Sequence, residues 1–260
     1  MSDTPEPDVP AERLVGSDRV LAVLIELAGR PQGASLEDLA RAVSSPKSTV
    51  HRALASLTRA GLAAKSGVGR YVLGDEFLRL AFAHHEARPD HQRVVPALVA
   101  LAERFGETAH YAVLDGTEVV YRSKIDPPSG AVRITSTIGG RNPAHCTAVG
   151  KLLLADRLPD DAAAVAWARE HGLERRTDRT ITDPDAFAAE LARVRRRGYA
   201  VDDQENEMGI NCLAVSAGIP AARGAEGAIS LSALAYRMPL DALEDAAGQI
   251  TALVAEAIDG

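Results

Sequence analysis

The stretch SSPKSTVHRALASLTRAG, residues 44–61, determines how the rest of the chain is interpreted. Ser45 suits an N-cap, Pro46 suits the first helical position, and Gly61 suits a left-handed C-cap, so the sequence predicts a helix over residues 46–60. Apolar residues recur on one face of this helix at the spacing i, i+3, i+4, i+7: Val50, Ala53, Leu54 and Leu57. That face is expected to pack against a core.

The opposite face of this helix carries hydroxyl and basic side chains and no carboxylate. No acidic residue occurs between Asp38 and Asp75, although the whole chain has a formal net charge of −7. Residues 17–73 contain eight Lys and Arg against four Asp and Glu, a net charge of +4, whereas residues 74–260 are acidic. A basic segment joined to an acidic remainder is typical of a chain with one polyanion-binding domain.

The segments on either side of this helix complete a DNA-binding motif. A shorter helix is predicted over 35–40, with Ser35 as N-cap and Asp38 completing a capping box. After the helix, a glycine-rich turn separates the apolar runs 62–65 and 70–73, which predicts a β-hairpin. Together these elements predict a winged helix-turn-helix. The alternative is an αα-hairpin whose polar side is only solvated.

Composition and pattern divide the chain into four segments. Residues 1–16, with four acids and three prolines, are predicted to be a disordered tail. Residues 17–73 form the winged helix-turn-helix domain. Residues 74–89 are predicted to form a linker helix with a wide apolar face, which would pack either against its own domains or against the same helix of a second subunit, and a palindromic DNA site favours the second. Residues 90–260 form a second domain.

The second domain is predicted to be an α+β domain around an antiparallel sheet, because strands and helices occur in mixed order with hairpins. Strands are expected at 109–114, 118–125, 131–136, 199–202, 212–219 and 228–235, and helices at 91–106, 145–154, 160–171, 184–197 and from 239 onward.

Several other classes of protein are disfavoured by the sequence. No run approaches the ~18 apolar residues of a membrane span, and residues 1–14 lack the apolar core of a signal peptide, so a cytoplasmic location is expected. No cofactor is expected, because no Walker loop, dinucleotide fingerprint or HExxH motif is present. His145 and Cys146 suggest a base and a nucleophile, but adjacent residues on an extended segment point apart. With Asp202 and Cys212 they also lack the paired short spacings of a zinc site, so neither an enzyme nor a metal site is predicted.

Several segments, in this order and spacing, resemble IclR-family transcriptional regulators. They are SLEDLARAVSSPKSTVHRALASLTRAGLA (35–63), GRYVLG (69–74), AVLDGTEVVY (112–121), HCTAVGKLLLA (145–155), RGYAVDDQENEMGINCLAV (197–215) and AISLSALAYR (228–237). The resemblance implies an N-terminal winged helix-turn-helix, a dimerising linker helix and a GAF-like domain that binds a small effector. It also implies dimers or tetramers on palindromic operators.

The resemblance further implies an effector pocket in the second domain. Its residues would be Ala148, Val149, Asp202, Ile210, Cys212, Ala214, Ser230 and Ser232. Ala148 and Val149 lie at a predicted helix N-terminus, where free N–H groups favour an anion, so an organic or aromatic acid is the expected effector. The alternative is that these small residues fill a tight core. Where the family often has Gly-Pro, this chain has Ala233 and Leu234, which changes the pocket wall.

The leading hypothesis is therefore a ligand-responsive regulator that binds double-stranded operator DNA. Base contacts are assigned to Ser48, Thr49, Arg52 and Ser56, and phosphate contacts to Lys47, Arg59, Lys65 and Arg70. The rival hypothesis is a small-molecule-binding enzyme or sensor whose winged helix contacts only proteins. A salt-dependent mobility shift with DNA separates the two hypotheses.

Overall fold

A computed structural model describes residues 16–127, 136–220 and 226–259 of the chain. The chain divides into two compact units, and the division falls between Glu86 and Ala87, inside the segment that the sequence assigns to the linker. Most of the predicted tail, residues 1–15, lies outside the described residues, and Gly16 belongs to the first helix.

The first unit is a winged helix-turn-helix, as predicted. Its elements are α1 (Gly16–Ala28), β1 (Ala34–Ser35), α2 (Leu36–Ala42), α3 (Lys47–Arg59), β2 (Ala63–Ser66), β3 (Arg70–Leu73) and α4 (Asp75–Glu86). The three strands form an antiparallel sheet in the order β1-β3-β2. α3 packs on α1 and α2 around a core that includes Leu27, Leu39 and Leu54. The apolar face predicted for α3 is buried there.

The boundaries of α3 differ by one residue from the prediction. Ser45 is not the N-cap: the helix begins at Lys47, Pro46 occupies the N-cap position, and no side chain caps it. The Ser45 hydroxyl instead donates to the carbonyl of Val43 at 3.1 Å. Pro46 itself has an extended backbone with a ψ of 140°, so it takes the N-cap position and the helix starts one residue later. Gly61, with a φ of +72°, follows the end of the helix as predicted.

The second unit is an α+β domain, also as predicted. Its elements are α5 (Pro89–Phe105), β4 (Thr108–Asp115), β5 (Glu118–Ile125), β6 (Arg141–Pro143), a short 3-10 helix (Ala144–Cys146), α6 (Ala148–Arg157), α7 (Asp161–His171), α8 (Pro184–Arg197), β7 (Tyr199–Asp203), β8 (Ile210–Pro220), β9 (Glu226–Leu234), α9 (Leu240–Asp245) and α10 (Ala247–Asp259). All strand pairs among the described residues are antiparallel, in the order β6-β5-β4-β9-β8-β7.

The sheet lies between two layers of helices. One apolar cluster joins the sheet to α5, α9 and α10, and it contains Leu98, Leu213 and Ile250. A second cluster joins the other face to α6, α7 and α8, and it contains Leu154 and Phe187. Because side chains alternate along a strand, β4, β5, β7, β8 and β9 each contribute to both clusters.

A β-bulge shapes the face of the sheet beneath α6. Tyr111 pairs with Ser123 and Ala112 pairs with Tyr121, so Arg122 is an extra residue on β5. Tyr121 belongs to the apolar cluster that includes α6. The bulge therefore lets β5 direct Tyr121 toward α6 while the pairing continues beyond it.

The remaining differences from the sequence predictions lie at ends and loops. Most of the strand predicted at 131–136 lies outside the described residues, and Ser136 is not in a strand. The sequence did not predict β6, and the helix expected from 145 begins at Ala148 because a 3-10 helix precedes it. Among the described residues, no helix is long and apolar enough to cross a membrane.

Candidate nucleic-acid interface and effector cavity

The outward face of α3 presents polar side chains to solvent. Ser48 and Arg52 are exposed, and Thr49 and Ser56 are half-buried. These four residues are the ones that the sequence predicts to contact DNA bases. The Arg59 guanidinium donates to Ser56 Oγ at 3.2 Å, which fixes both side chains at the end of this face.

The four predicted phosphate-contacting cations differ in how they are held. Lys47 forms an ion pair with Glu37 at 3.1 Å. Arg70 donates from its guanidinium to the carbonyl oxygens of Gln32 and Gly33, at 3.1 and 2.7 Å, so it also fastens β3 to the loop before α2. Arg59 bonds to the Ser56 hydroxyl and forms no ion pair with any described residue.

Two cations of this unit stand out as unengaged. Arg52 on α3 and Lys65 on β2 are exposed, and neither has an ion-pair partner among the residues that the structure describes. Val68 lies between Lys65 and Arg70, at the tip of the β2–β3 hairpin, and its side chain is fully exposed. Arg52 and Lys65 are thus the side chains with the fewest competing contacts.

A cavity of about 300 Å³ lies in the second unit, between the sheet and the N-terminal end of α6. Seven of the eight residues predicted for an effector pocket line it: Ala148, Val149, Asp202, Ile210, Cys212, Ser230 and Ser232. Ala214 does not line the cavity. It lies further along β8, opposite Ser230, and belongs to the apolar cluster that α6 and α8 bury against the sheet.

The floor of the cavity is a chain of neutral hydrogen-bonding groups. Cys212 Sγ donates to Ser232 Oγ at 3.1 Å, and Ser232 Oγ lies 3.3 Å from His110 Nδ1. His110 Nε2 lies 2.7 Å from Ser136 Oγ. Burial lowers the pKa of His110 to about 3, so this imidazole is neutral at physiological pH. The floor therefore offers polar contacts without adding a formal charge.

Asp202 is the buried carboxyl of the cavity wall. Its Oδ1 accepts the backbone N–H groups of Glu205 and Asn206, at 2.6 and 3.4 Å. Burial raises the pKa of Asp202 to about 7, while the charge of Lys151 acts in the opposite direction. Lys151 itself is buried and forms an ion pair with Glu205 behind the cavity. Near neutral pH, Asp202 can therefore exchange a proton and present either a donor or an acceptor.

The rim of the cavity includes residues that the sequence does not single out. Asn142 donates to Tyr121 Oη at 3.3 Å, and Thr147 caps α6 by accepting the N–H of Gly150 at 3.2 Å. A lone histidine in the apolar strand β4 is the one available signal, because His110 is an ionisable side chain within a run of buried residues. The other missed residues carry no periodic signal: Tyr121, Ser136, Thr137, Gly140, Arg141, Asn142, Thr147, Arg176, Asn206 and Glu207.

The two cysteines lie near the cavity as protonated thiols. Burial raises the pKa of Cys146 to about 12, and burial also raises the pKa of Cys212 well above its usual range. His145 Nε2 bonds to the carbonyl oxygen of Glu174 at 2.9 Å, so this nitrogen is not paired with Cys146. Within the described ranges, no group of three or more His, Cys, Asp or Glu side chains is arranged to hold a metal ion.

A winged helix-turn-helix followed by an α+β domain with a polar cavity defines a class of protein: DNA-binding regulators that respond to small molecules. The family model for the IclR helix-turn-helix domain matches residues 17–67. The model for the bacterial transcriptional regulator IclR C-terminal region matches residues 91–259. The chain therefore belongs to the IclR family of transcriptional regulators.

Similar proteins are regulators of transcription. The HTH-type transcriptional regulator BhcR of Paracoccus denitrificans is 34% identical over 233 residues, which cover 88% of this chain and 82% of that protein. The transcriptional repressor IclR of Escherichia coli is 31% identical over 199 residues, which cover 75% of this chain and 72% of that protein. The family acts by binding DNA and is not a family of enzymes.

Solved structures share the fold. A transcriptional regulator of Rhodococcus sp. RHA1 is 31% identical with a TM-score of 0.79, and the match covers 93% of this chain and 95% of that one. The IclR protein of Thermotoga maritima is 25% identical with a TM-score of 0.73, covering 94% of this chain and 95% of that one.

Proposed function

We propose that this chain regulates transcription in the cytoplasm by binding a palindromic operator through α3 and the β2–β3 wing. The proposed domains are those predicted from the sequence: residues 17–73 bind DNA, 74–89 link two subunits and 90–260 bind the effector. Base contacts fall to Ser48, Thr49, Arg52 and Ser56, and phosphate contacts to Lys47, Arg59, Lys65 and Arg70. The main support is the exposed polar face of α3, which carries no carboxylate.

A mobility-shift assay with DNA flanking the protein's own gene tests this proposal. Arg52→Ala is expected to weaken specific binding by roughly 1 to 3 kcal/mol, because a base contact is lost. Lys65→Ala is expected to weaken binding to operator and random DNA alike, since a phosphate contact carries no sequence information. Arg169→Ala in the second unit is the control. Equal losses of Arg52→Ala on operator and random DNA would contradict its assigned role.

We further propose that the cavity binds a small organic acid. A volume of about 300 Å³ is at the lower end of the range for ligand sites. The first N–H groups of α6, at Ala148 and Val149, favour an anion, and a protonated Asp202 can donate to a carboxylate. An IclR homologue of Microbacterium hydrocarbonoxydans has been crystallised with 4-hydroxybenzoate, an aromatic acid.

A thermal-shift assay with benzoate and 4-hydroxybenzoate tests the effector proposal. A ligand that binds only the folded protein raises the melting temperature by mass action. Ser232→Val, which replaces a floor hydroxyl by two methyl groups, should reduce the shift, whereas Ser216→Val on the same strand pair outside the cavity should not. An unchanged response of Ser232→Val would count against binding at this floor.

A further inference from the structure

Two guanidinium groups reach the rim of the cavity, and they differ in how they are neutralised. Arg141 forms ion pairs with both Asp115 and Glu118. The side chain of Arg176 is exposed and makes no hydrogen bond or ion pair with any residue that the structure describes. Glu207, the remaining charged group of the rim, has an interaction of its own. Arg176 is thus the rim cation that is available to bind an anionic ligand.

The backbone of Arg176 is held in a fixed place beside the cavity. Its N–H donates to Thr180 Oγ1 at 3.1 Å, and Thr180, only 5% exposed, donates in turn to the carbonyl oxygen of Glu205 at 2.7 Å. Thr177 Oγ1 donates to the carbonyl oxygen of Gln204 at 2.8 Å. These bonds fasten the α7–α8 loop to the segment after β7, which itself lines the cavity.

The cavity has a buried end and an open end. The floor residues His110, Ser230 and Ser232 are almost fully buried, whereas Arg141 and Arg176 are exposed. The floor can hold one polar group of a ligand with neutral donors and the N-terminus of α6. A ligand that fills the length of the cavity then places its other end at the rim, where the Arg176 guanidinium is unpaired.

We infer that the cavity selects a dicarboxylate, with one carboxylate on the floor and the second on the guanidinium of Arg176. This inference rests on the proposed binding of an organic acid in the cavity. Arginine suits the second site because its planar fork donates two parallel hydrogen bonds to a carboxylate. Arg176 is then the residue that distinguishes a diacid from a monoacid of the same length.

Calorimetric titration with matched pairs of acids tests this inference on the full-length protein. The pairs are succinate with butyrate, glutarate with valerate, and terephthalate with 4-methylbenzoate, so that within each pair a methyl group replaces the second carboxylate. Ionic strength is held constant, because exposed charges are screened by salt. Wild type is compared with Arg176→Ala and with the control variant Arg175→Ala. The guanidinium of Arg175 is exposed, bonds to Thr182 Oγ1 and does not line the cavity.

At least one diacid is expected to bind wild type about tenfold more tightly than its monoacid, since a charge-assisted hydrogen bond contributes this much. Arg176→Ala should remove that advantage, and Arg175→Ala should retain it. The inference is overturned if Arg176→Ala leaves the diacid advantage intact, or if monoacids lose as much affinity as diacids. If only the monoacids bind, the proposal of an acid effector still holds, and only the inference of a dicarboxylate is refuted. If none of the six acids binds, both the dicarboxylate inference and the proposal of an acid effector are refuted. The DNA-binding proposal is tested separately by the mobility-shift assay.

Discussion

Asp202 is the residue whose ionisation should affect stability most clearly. Its pKa of about 7 in the folded protein lies above its ordinary value, so the folded protein retains a proton that the unfolded chain has lost. Stability contributed by this residue is therefore lost as the pH rises from about 4 to 7, and the penalty is complete above the folded pKa. The cause is the burial of a charge, which costs free energy in a low-dielectric site.

Asp202→Asn should remove this penalty. The amide oxygen of asparagine can still accept the N–H groups of Glu205 and Asn206, and the side chain stays neutral at all pH values. The variant is expected to be more stable than wild type at pH 8, by up to about 4 kcal/mol, and to match it near pH 4. Melting temperatures measured at both pH values check this, and parallel pH profiles for the two proteins would refute it.

At the level of elements, the contact between the 3-10 helix and α6 depends on Gly150. A Cβ at this position would lie well inside van der Waals contact with backbone atoms of Ala144, so one element would have to move. Gly150→Ala is expected to destabilise the second unit by about 1 to 3 kcal/mol, as overpacked cores do.

Gly248 in α10 is a matched control for this prediction, because a Cβ there would meet no atom within 4 Å. Gly248→Ala should be neutral or stabilising by up to about 1 kcal/mol, since alanine favours helix. Chemical denaturation of both variants measures the difference. If Gly150→Ala is as well tolerated as Gly248→Ala, the close approach does not constrain α6.

Elements with complete local signals were predictable from the sequence. α8 begins at Pro184, directly after its N-cap Asp183, and ends before Gly198, over the range 184–197 that was expected, because caps and helix breakers act on neighbouring residues. The two-residue period of a strand likewise places Ser230 and Ser232 on one face. The position of Ala214 depends on where α6 covers the sheet, and Arg176 reaches the rim through loop contacts. Neither has a signal in local sequence, since both depend on distant segments.

On the scale of the whole molecule, α4 carries exposed apolar side chains that a subunit interface would cover. Leu78 and Phe82, 46% and 60% exposed, lie one helical turn apart on the same side of the helix. Two such helices packed together would bury this stripe, and a two-fold dimer matches a palindromic operator.

Phe82→Glu is therefore expected to shift the protein toward monomer, because it places a carboxylate in the proposed interface. His84→Glu adds the same charge to another side of α4 and should leave the oligomer unchanged. Light scattering coupled to size-exclusion chromatography measures the mass of each variant. A monomeric wild type, or equal masses for all three proteins, would contradict an α4 dimer.

The start of α3 has a further consequence, because Pro46 offers no side chain to satisfy the first N–H groups of that helix. The partial positive charge of a helix N-terminus belongs to peptide dipoles, which no side-chain replacement removes. Some attraction for phosphate is thus a property of the main chain here. Even a variant that lacks the basic side chains of α3 and the wing should therefore retain weak, salt-sensitive binding to duplex DNA.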